Sequence, residues 1–483
     1  MRTEQIHTLI LGSGPAGLAA GHTLAKAGLK PVILDREKVP GGLMRSIRHK
    51  DFVVDVGRKE LYNRLAKVDD FWTSIIGPDY RQYPHRGGFL YQGHILEMSR
   101  TYHGFRRGMS WPMFLGCTSG FFWARMNVFA PRPRNVEEYF YRTRGRLLTR
   151  VASQGFQEKL TGRRWADMPL PENFSDGESA GLISTLKAAA TRAFATGEVN
   201  TFKGFWRHPA KGTGQICDVL AEQIAGSGGS FGFGAKILEV HADESKVTSV
   251  TAEINSEKIC YQVQNLVSSI PLEVMITLLG RKVPEAFTAA KGSSSRRKTV
   301  VLVYLFLNRA PKFPHAWLQV TCPGSRIGRI TNYSGFNSDM VPAGKGCLCC
   351  EYYCFGENDP LLTLDPKELT RQTIDFCVDS GLMDRESFVE ELVLKFPGAD
   401  ASQNRHNWIT SMRLGLVNEV KPYKNLYHAA RTDLDIATLA GLESAEAILS
   451  GERDIFDLHF DPTQIGIRSE RKAFEFKVPV GTE

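Results

Sequence analysis

The chain has 483 residues, of which 42% are hydrophobic and 23% are charged, which is the composition of an ordinary globular protein. This length exceeds what a single hydrophobic core accommodates, so two or more domains are expected. The 60 Lys and Arg residues exceed the 52 Asp and Glu residues by a net charge of +8, and the basic runs match no nucleic-acid-reading motif, so no nucleic-acid partner is expected. We interpret the excess as solvated basic surface, with attraction of an anionic ligand as the alternative.

The sequence predicts neither a signal peptide nor a transmembrane segment. The first apolar run follows the acidic Glu4 and has no cleavage site, and the longest membrane-like stretch, residues 111–124, is too short to span a bilayer. We expect that stretch to form a core helix or the lining of a substrate tunnel, with peripheral membrane contact as a lesser alternative. Nine cysteines without an export signal favour reduced thiols and a cytoplasmic location.

A cluster of four cysteines, at positions 347, 349, 350 and 354, raises the question of a metal site. The surrounding residues are apolar and aromatic, as in a strand, and adjacent residues of a strand point to opposite faces of a sheet. Cys349 and Cys350 are therefore expected to diverge, and the sequence has no second pair at C-x-x-C spacing to complete a ligand set. No metal site is predicted.

A glycine-rich turn near the start of the chain predicts a dinucleotide site. An apolar run over residues 6–11 leads into the pattern G-x-G-x-x-G, a segment of small residues fit for a helix follows, and a second apolar run over residues 31–34 ends in Asp35. In such sites the glycines permit a tight turn, close approach of a pyrophosphate and close packing of the helix, while the acid accepts hydrogen bonds from ribose hydroxyls. The alternative is a glycine turn in another kind of α/β protein. The residues predicted to bind the dinucleotide here are Gly12, Gly14, Pro15, Ala16, Gly17 and Asp35.

The residues that follow Asp35 narrow the choice of dinucleotide. A Gly41-Gly42 pair precedes Arg45 and a short apolar strand that ends in Asp55-Val-Gly57. This arrangement resembles the FAD-binding signature of the superfamily that includes amine oxidases, protoporphyrinogen oxidase, phytoene desaturases and UDP-galactopyranose mutase. The resemblance implies that FAD is the cofactor. It also implies that FAD is contacted in this stretch by Arg36, Gly42, Leu43, Arg45, Gly57 and Arg58.

Two later segments resemble further FAD-binding parts of the same superfamily. Residues 205–271 resemble the return of the chain to the FAD domain, which implies that the backbone at Lys236 and Ile237 holds the adenine and that Ser269 also contacts the cofactor. Residues 425–451 resemble the C-terminal flavin motif, a strand, a short loop and an alanine-rich helix. The resemblance implies that the start of this helix directs its N–H groups at the flavin N1/C2 region, where Arg431 precedes the loop. The helix residues concerned are Asp435, Ile436 and Ala437.

The resemblance implies an α/β fold, α+β overall, with a Rossmann-type FAD-binding domain and an inserted substrate domain of antiparallel sheet plus helices. We divide the chain into five segments. They are the first part of the FAD domain (1–65), a helical insertion (66–204), the second part of the FAD domain (205–275), the antiparallel sheet of the substrate domain (276–404), and the third part of the FAD domain with a C-terminal tail (405–483).

The expected activity is that of an FAD-dependent oxidoreductase, an oxidase or dehydrogenase that removes a hydride from a small metabolite, with anionic and sugar-containing compounds among the candidates. Oxygen or an external electron acceptor is then required, since the sequence contains no second glycine fingerprint for NADPH. The alternatives are a mutase-like reaction, with reduced FAD N5 as the nucleophile and no net redox change, and a non-catalytic flavin-fold binding protein. The loop after Arg431 is shorter than in the mutase and protoporphyrinogen oxidase pattern, so the resemblance does not identify the substrate.

The best catalytic candidates are Arg58 and Arg431, because the resemblance implies that both lie near the flavin ring. Either guanidinium can bind an anionic substrate or bias the charge of the flavin. Four histidines considered as acid or base candidates are expected to be core or surface residues rather than catalytic ones; they are His94, His208, His315 and His428. The oligomeric state is left open by the sequence.

Overall fold

A computed structural model of the chain describes residues 2–62, 65–84, 86–98, 106, 108–126, 131–170, 206–285, 298–398, 415–431 and 433–452. Its strands are β1 (Arg2–Leu11), β2 (Val32–Asp35), β3 (Ser46–His49), β4 (Phe52–Asp55), β5 (Leu61–Tyr62), β6 (Tyr80–Gln82), β7 (Gly87–Tyr91), β8 (His94–Glu97), β9 (Trp206–Pro209), β10 (Ser230–Phe233), β11 (Lys236–Ala242), β12 (Val247–Ile254), β13 (Glu257–Ser268), β14 (Lys298–Leu307), β15 (Trp317–Val320), β16 (Ile327–Asn332), β17 (Gly346–Phe355), β18 (Phe388–Pro397) and β19 (Leu426–His428).

Its α-helices are α1 (Pro15–Lys26), α2 (Ala66–Ile76), α3 (Trp111–Met126), α4 (Val136–Arg144), α5 (Arg146–Thr149), α6 (Gly155–Thr161), α7 (Gly214–Gly226), α8 (Leu272–Leu278), α9 (Tyr333–Phe336), α10 (Pro360–Thr363), α11 (Pro366–Asp379) and α12 (Leu434–Ser450). One π-helical turn, Arg150–Gln154, connects α5 to α6. This mixture of sheets and helices confirms the predicted fold class.

The first sheet carries the predicted dinucleotide turn. Its strands lie in the order β10, β2, β1, β13, β12, β11, with β19 beside β13. The strands β10, β2, β1, β13 and β19 run parallel, whereas β12 pairs antiparallel with both β11 and β13. The end of β1, residues Leu9, Ile10 and Leu11, is fully buried, as expected for parallel strands covered on both faces. The sheet therefore combines three stretches of sequence, and the division of the chain into five segments stays a prediction.

The second sheet has the strand order β18, β14, β17, β16, β15, β7, β8. All its pairings are antiparallel except that of β7 with β15, which is parallel. The cysteines of β17 alternate as predicted: Cys347 and Cys349 pack with Tyr304 on one face, while Cys350 and Cys354 join the core under α11 on the other. Adjacent cysteines thus belong to different cores.

A buried polar network around Asp55 joins the end of β4 to β9 and the start of α7. The Asp55 carboxylate accepts hydrogen bonds from Ser46 Oγ (2.6 Å) and Thr213 N (3.0 Å), and its second oxygen lies 3.0 Å from His208 Nε2. The Asp55 backbone carbonyl accepts from Tyr304 Oη at 2.6 Å. The network fixes the chain immediately before Gly57, where the predicted flavin-side residues begin.

The helices α3 to α6 form a layer beside the second sheet. Asn135 caps α4 as predicted, because its Oδ1 accepts from Glu138 N at 2.8 Å. Helix α3 covers the predicted stretch 111–124, but only Phe114 and Cys117 on it are buried. The expectation of a core helix is therefore wrong, since large apolar side chains on its other face are exposed to solvent. Among the described residues, no helix has both the length and the apolar character needed to cross a bilayer.

Candidate functional site

The glycine turn between β1 and α1 can be formed only by glycine at two of its positions. Gly12 has φ +96°, and a Cβ built on it would lie 2.3 Å from Ser269 Oγ. A Cβ on Gly17 would lie 1.9 Å from the carbonyl oxygen of Gly12, so the first turn of α1 rests directly on the loop backbone. Ser269 closes the turn from β13, because its Oγ donates to Leu11 O at 2.8 Å.

The space in front of Gly14 is open. A Cβ on Gly14 would meet no atom within 4 Å in the described protein, and among the described residues no side chain caps α1 at this residue. The second glycine pair lies beside the first turn, since Gly41 N donates to Ser13 O at 2.8 Å and a Cβ on Gly42 would lie 3.5 Å from Gly14 Cα. The two glycine turns leave the N-terminal end of α1 exposed. A pyrophosphate fits this space, where the N–H groups of the helix end would bind it.

Asp35 at the end of β2 is held toward the turn. One carboxylate oxygen accepts from Ser13 N and Ser13 Oγ, both at 2.6 Å, and the other accepts from Glu37 N at 2.8 Å. A carboxylate has about four acceptor positions, so one is left for a ribose hydroxyl. The geometry is compatible with the predicted role, which stays a prediction.

The basic residues after Asp35 have different surroundings. Arg45 donates to Gly42 O at 3.1 Å and pairs with Glu37 at 3.5 Å, so it belongs to the second glycine turn. The side chain of Arg36 is 83% exposed, and its nearest ion pair, with Glu37, is 3.6 Å long. Leu43 is also exposed at the surface of this turn.

The predicted adenine contacts lie at the start of β11, an edge strand of the first sheet, and the preceding Ala235 N donates to Asp35 O at 2.8 Å. Lys236 and Ile237 pair there with Glu253 and Ala252 of β12. The side chain of Lys236 faces solvent and that of Ile237 is partly buried. Their contact with adenine stays a prediction.

The C-terminal segment brings α12 against α1. A Cβ on Gly441 would lie 2.1 Å from Ala16 O, so the two helices touch through backbone. At the start of α12, Asp435 is buried and its carboxylate accepts from Ile436 N at 3.0 Å, while Ala437 N donates to Asp433 O. Helix α12 is therefore held directly against α1, and the contacts of its first residues with the flavin stay a prediction.

Arg431 folds back onto the chain before it. Its Nη1 donates to His428 O at 3.0 Å and to Ala430 O at 2.7 Å. Burial lowers the pKa of Arg431 to about 9, so the group remains charged at neutral pH. Burial, together with the nearby Arg431 charge, lowers the pKa of His428 to about 3 and keeps that imidazole neutral. A neutral, buried histidine agrees with its expected core role.

A cluster of charges surrounds Gly57, which has φ +68°. The carboxylate of Glu351 on β17 accepts from Arg58 N at 3.2 Å and pairs with Arg329 at 3.1 Å. The Arg58 guanidinium lies over the Trp317 ring, 4.3 Å from its centroid, and pairs with Glu60 at 2.8 Å. Arg58 is thus fixed between the two parts of the fold and has the rigidity that a substrate-facing group needs.

The protonation states in this cluster depart from ordinary values. Burial by itself would raise the pKa of Glu351, but Arg329 and the Arg58 N–H hold it below its usual value, so the carboxylate stays charged. Burial lowers the pKa of Lys59, and the negative charges of Glu351 and Asp55 only partly offset that effect. A lysine of lowered pKa in a charge cluster is a candidate for proton transfer.

Sequence reasoning did not select Lys59, Glu351 or Arg329 as site residues. Lys59 directly follows a predicted site residue and is the only lysine within five residues of Gly57, which is a weak local signal. The hydrogen bond from Arg58 N to Glu351 joins positions almost 300 residues apart, so no local sequence pattern predicts it.

A cavity of about 630 Å3 opens beside the cluster, between the π-helical turn, α6 and the ends of β15 and β17. Tyr353 lines it and donates to Glu351 at 3.0 Å, which connects the cavity to the charge cluster. Five basic side chains line it, against the single carboxylate of Glu158. The basic residues are Arg150, Lys159, Arg163, Arg164 and Arg326. Such a cavity has the size of a small-molecule site and the charge for an anion.

Lys159 stabilises the wall of this cavity. Its Nζ donates to the carbonyl oxygens of Val320 (2.9 Å), Cys322 (3.0 Å) and Ile327 (3.1 Å), which joins α6 to the loop between β15 and β16. Arg326 pairs with Asp359 at 2.8 Å, and Arg150 Nε donates to the Tyr141 hydroxyl at 3.3 Å. Among the described residues, the cavity cations whose side chains make no such contact are the exposed Arg163 and Arg164, at the turn after α6.

Comparison with known proteins agrees with these features. Residues 15–375 match the sequence profile of the family described as flavin containing amine oxidoreductase. No curated protein matches the sequence at a significant level.

Several solved structures share the fold. Reduced UDP-galactopyranose mutase superposes with a TM-score of 0.73 at 18% identity, over 95% of this chain and 99% of that chain. A putative protoporphyrinogen oxidase from Exiguobacterium sp. 255-15 gives 0.64 at 13% identity, over 92% and 99% of the two chains. Putrescine oxidase bound to putrescine gives 0.58 at 13% identity, over 93% and 100%. At these identities the similarity extends to the fold and not to a substrate.

Proposed function

The chain belongs to the flavin-containing amine oxidoreductase family, whose cofactor is FAD, and from that premise we propose that it is an oxidoreductase that removes a hydride from a small anionic metabolite. The observation that carries this proposal is the arginine-lined cavity next to the Glu351 cluster. A non-catalytic flavin-fold protein has no need for a lysine of lowered pKa in the charge cluster that Tyr353 connects to this cavity.

We assign the binding of substrate to the cavity and the proton chemistry to Lys59. Arg163 and Arg164 attract the anionic group of the substrate, and Arg58 is held by Trp317 and Glu60 on the side of the predicted flavin contacts. When bound, FAD supplies the hydride acceptor at N5. We assign the proton released with that hydride to the Lys59 amine, because burial lowers the pKa of Lys59 and so favours its neutral form. Oxygen or an external acceptor then takes the electrons.

The test is a screen of small metabolites against the purified holoprotein under anaerobic conditions, followed by visible flavin absorbance. The proposal expects an anionic compound to bleach the oxidised spectrum without added reductant. Turnover that begins only after dithionite reduction favours the mutase-like alternative, and no response in either condition favours a binding protein.

Variants test the two assignments separately. Arg163→Ala with Arg164→Ala is expected to raise the KM for the anionic substrate and to leave kcat nearly unchanged, since these residues lie on the cavity rim. Arg309→Ala is the matched control, because Arg309 is exposed on another part of the surface. Equal KM values for both variants contradict the assignment of the cavity to the substrate.

A further inference from the structure

Helix α3 presents a largely apolar face to solvent. The exposed fractions are 62% for Trp111, 59% for Leu115, 73% for Trp123 and 59% for Met126, and the small Ser119 is exposed among them. At about 100° per residue these four positions fall within roughly 120° of one another around the helix axis, opposite the buried Cys117, while Trp111 adjoins Phe114 with ring centroids 6.0 Å apart. Four of the nine large hydrophobic residues that are exposed in the described protein lie on this one helix, so the face is a patch and not scattered surface.

The inner face of α3 packs against the described fold. Phe114 and Cys117 are the buried side chains of this helix, Cys117 and Met113 join a satellite core with Leu96 of β8 and Val151, and the backbone of Gly120 lies against Gly145. The outer face could carry polar residues at no cost to this packing. Exposed tryptophans grouped on that face are typical of an interaction surface.

The sequence around α3 is strongly basic. Residues 98–136 contain six arginines and no Asp or Glu, in a chain that has 52 acidic residues. Over residues 106–170 there are twelve Lys and Arg residues against four Asp and Glu residues, and this excess equals the +8 of the whole chain. Arg106 lies over the Trp111 ring at 4.7 Å from its centroid, so charge and apolar surface adjoin at the start of the helix.

We propose that the outer face of α3 docks on the surface of an anionic phospholipid membrane. Tryptophan is the side chain best suited to the membrane–water interface, and arginines beside it bind lipid phosphates. The helix has 16 residues and is about 24 Å long, shorter than the ~30 Å hydrocarbon core, so it lies in the interface plane and does not cross. A second copy of the chain is a poorer partner, because a symmetric contact would bring two equally basic segments together.

The experiment measures binding of the full-length holoprotein to vesicles by flotation. Vesicles of phosphatidylcholine mixed with phosphatidylglycerol are expected to bind the protein at least tenfold more strongly than vesicles of phosphatidylcholine alone, and added salt weakens the binding. Trp111→Ser with Trp123→Ser is expected to reduce binding at least tenfold. Quenching of tryptophan fluorescence by lipids brominated in their acyl chains is expected for the wild type and lost in this variant.

Control variants distinguish an effect of the outer face of α3 on binding from general effects on folding or surface hydrophobicity. Val389→Ser removes an apolar residue that is 56% exposed on β18, and it is expected to bind like the wild type. Flavin absorbance and thermal unfolding report whether the double variant is folded; if it is not, Trp123→Ser alone replaces it. Undiminished binding by the folded variant, equal binding to neutral and anionic vesicles, or no binding at all overturns the proposal. Concentration-dependent dimerisation without vesicle binding also overturns it and assigns the face to a second copy.

Discussion

The open space at Gly14 gives a sharp prediction for Gly14→Ala. A methyl group there would meet no protein atom within 4 Å, and the backbone at Gly14 has φ −72° and ψ −176°, which alanine adopts without strain. Loss of glycine at an N-cap weakens a helix by up to about 1 kcal/mol, and reduced freedom of the unfolded chain offsets this by about 0.4–1 kcal/mol. We therefore expect the free energy of unfolding of the apoprotein to change by less than about 0.5 kcal/mol.

The effect on FAD is expected to be much larger. If the pyrophosphate occupies this space, the methyl group displaces it from the N–H groups at the start of α1. Loss of one charge-assisted hydrogen bond amounts to about 1.5–3 kcal/mol, which corresponds to a dissociation constant about tenfold to a hundredfold higher. Flavin fluorescence during titration of the apoprotein measures this constant, and urea unfolding of the same apoprotein measures stability.

Gly17→Ala is the matched variant, because its Cβ would lie 1.9 Å from a backbone oxygen. It is expected to destabilise the apoprotein itself by about 1–3 kcal/mol. A Gly14→Ala protein that binds FAD like the wild type would refute the assignment of this space to the pyrophosphate. A Gly14→Ala apoprotein as unstable as Gly17→Ala would refute the packing argument.

Three further variants test the charge cluster and the cavity wall. Burial holds the pKa of Lys59 in the folded protein below 10.5. At pH values between the folded and the unfolded pKa of Lys59, the unfolded chain binds more protons, so the free energy of unfolding rises with pH. Lys59→Met is expected to remove this rise in the free energy of unfolding, which urea unfolding measures. The lowered pKa of Glu351 contributes stability that is present above about 4.5 and lost as the pH falls through its folded value. Glu351→Gln is therefore expected to flatten the acid side of the stability profile and to lower stability by about 2–3 kcal/mol at pH 7, since Arg329 loses its carboxylate. Lys159→Met withdraws a donor from three carbonyl oxygens, and urea unfolding is expected to show a loss of about 1–3 kcal/mol, whereas the exposed Lys258→Met leaves stability unchanged.

Local sequence patterns predicted the parts of the fold that depend on interactions between residues close together in the sequence. The strand, turn and helix from β1 to α1 follow from an apolar run, glycines and a proline at the first helical position. The opposite directions of Cys349 and Cys350 follow from the two-residue period of a strand alone. The cap of α4 could be predicted from Asn135 and Glu138 alone, because they are three residues apart.

The features that the sequence did not predict depend on long-range contacts or on the surroundings of a helix. The parallel pairing of β7 with β15 and the contact of Arg58 with Glu351 join segments more than 200 residues apart. Helix α3 is apolar on nearly every side, and this pattern is the same for a helix in a core and for one that faces a membrane. These two kinds of helix are distinguished only by whether the tryptophans are buried or exposed in the folded structure.

The order of strands in the first sheet has a consequence for synthesis of the protein. β13 lies between β1 and β12 and also pairs with β19, which ends at His428, 160 residues after the end of β13 at Ser268. At about 5–20 residues per second, a ribosome needs roughly 8–32 s after β13 to supply that last strand. During this interval β13 has an unpaired edge, which is a template for aggregation. Because the predicted cofactor contacts extend to Ala437, FAD can complete its contacts only after this edge is covered, and its uptake would mark the end of folding of the nascent chain.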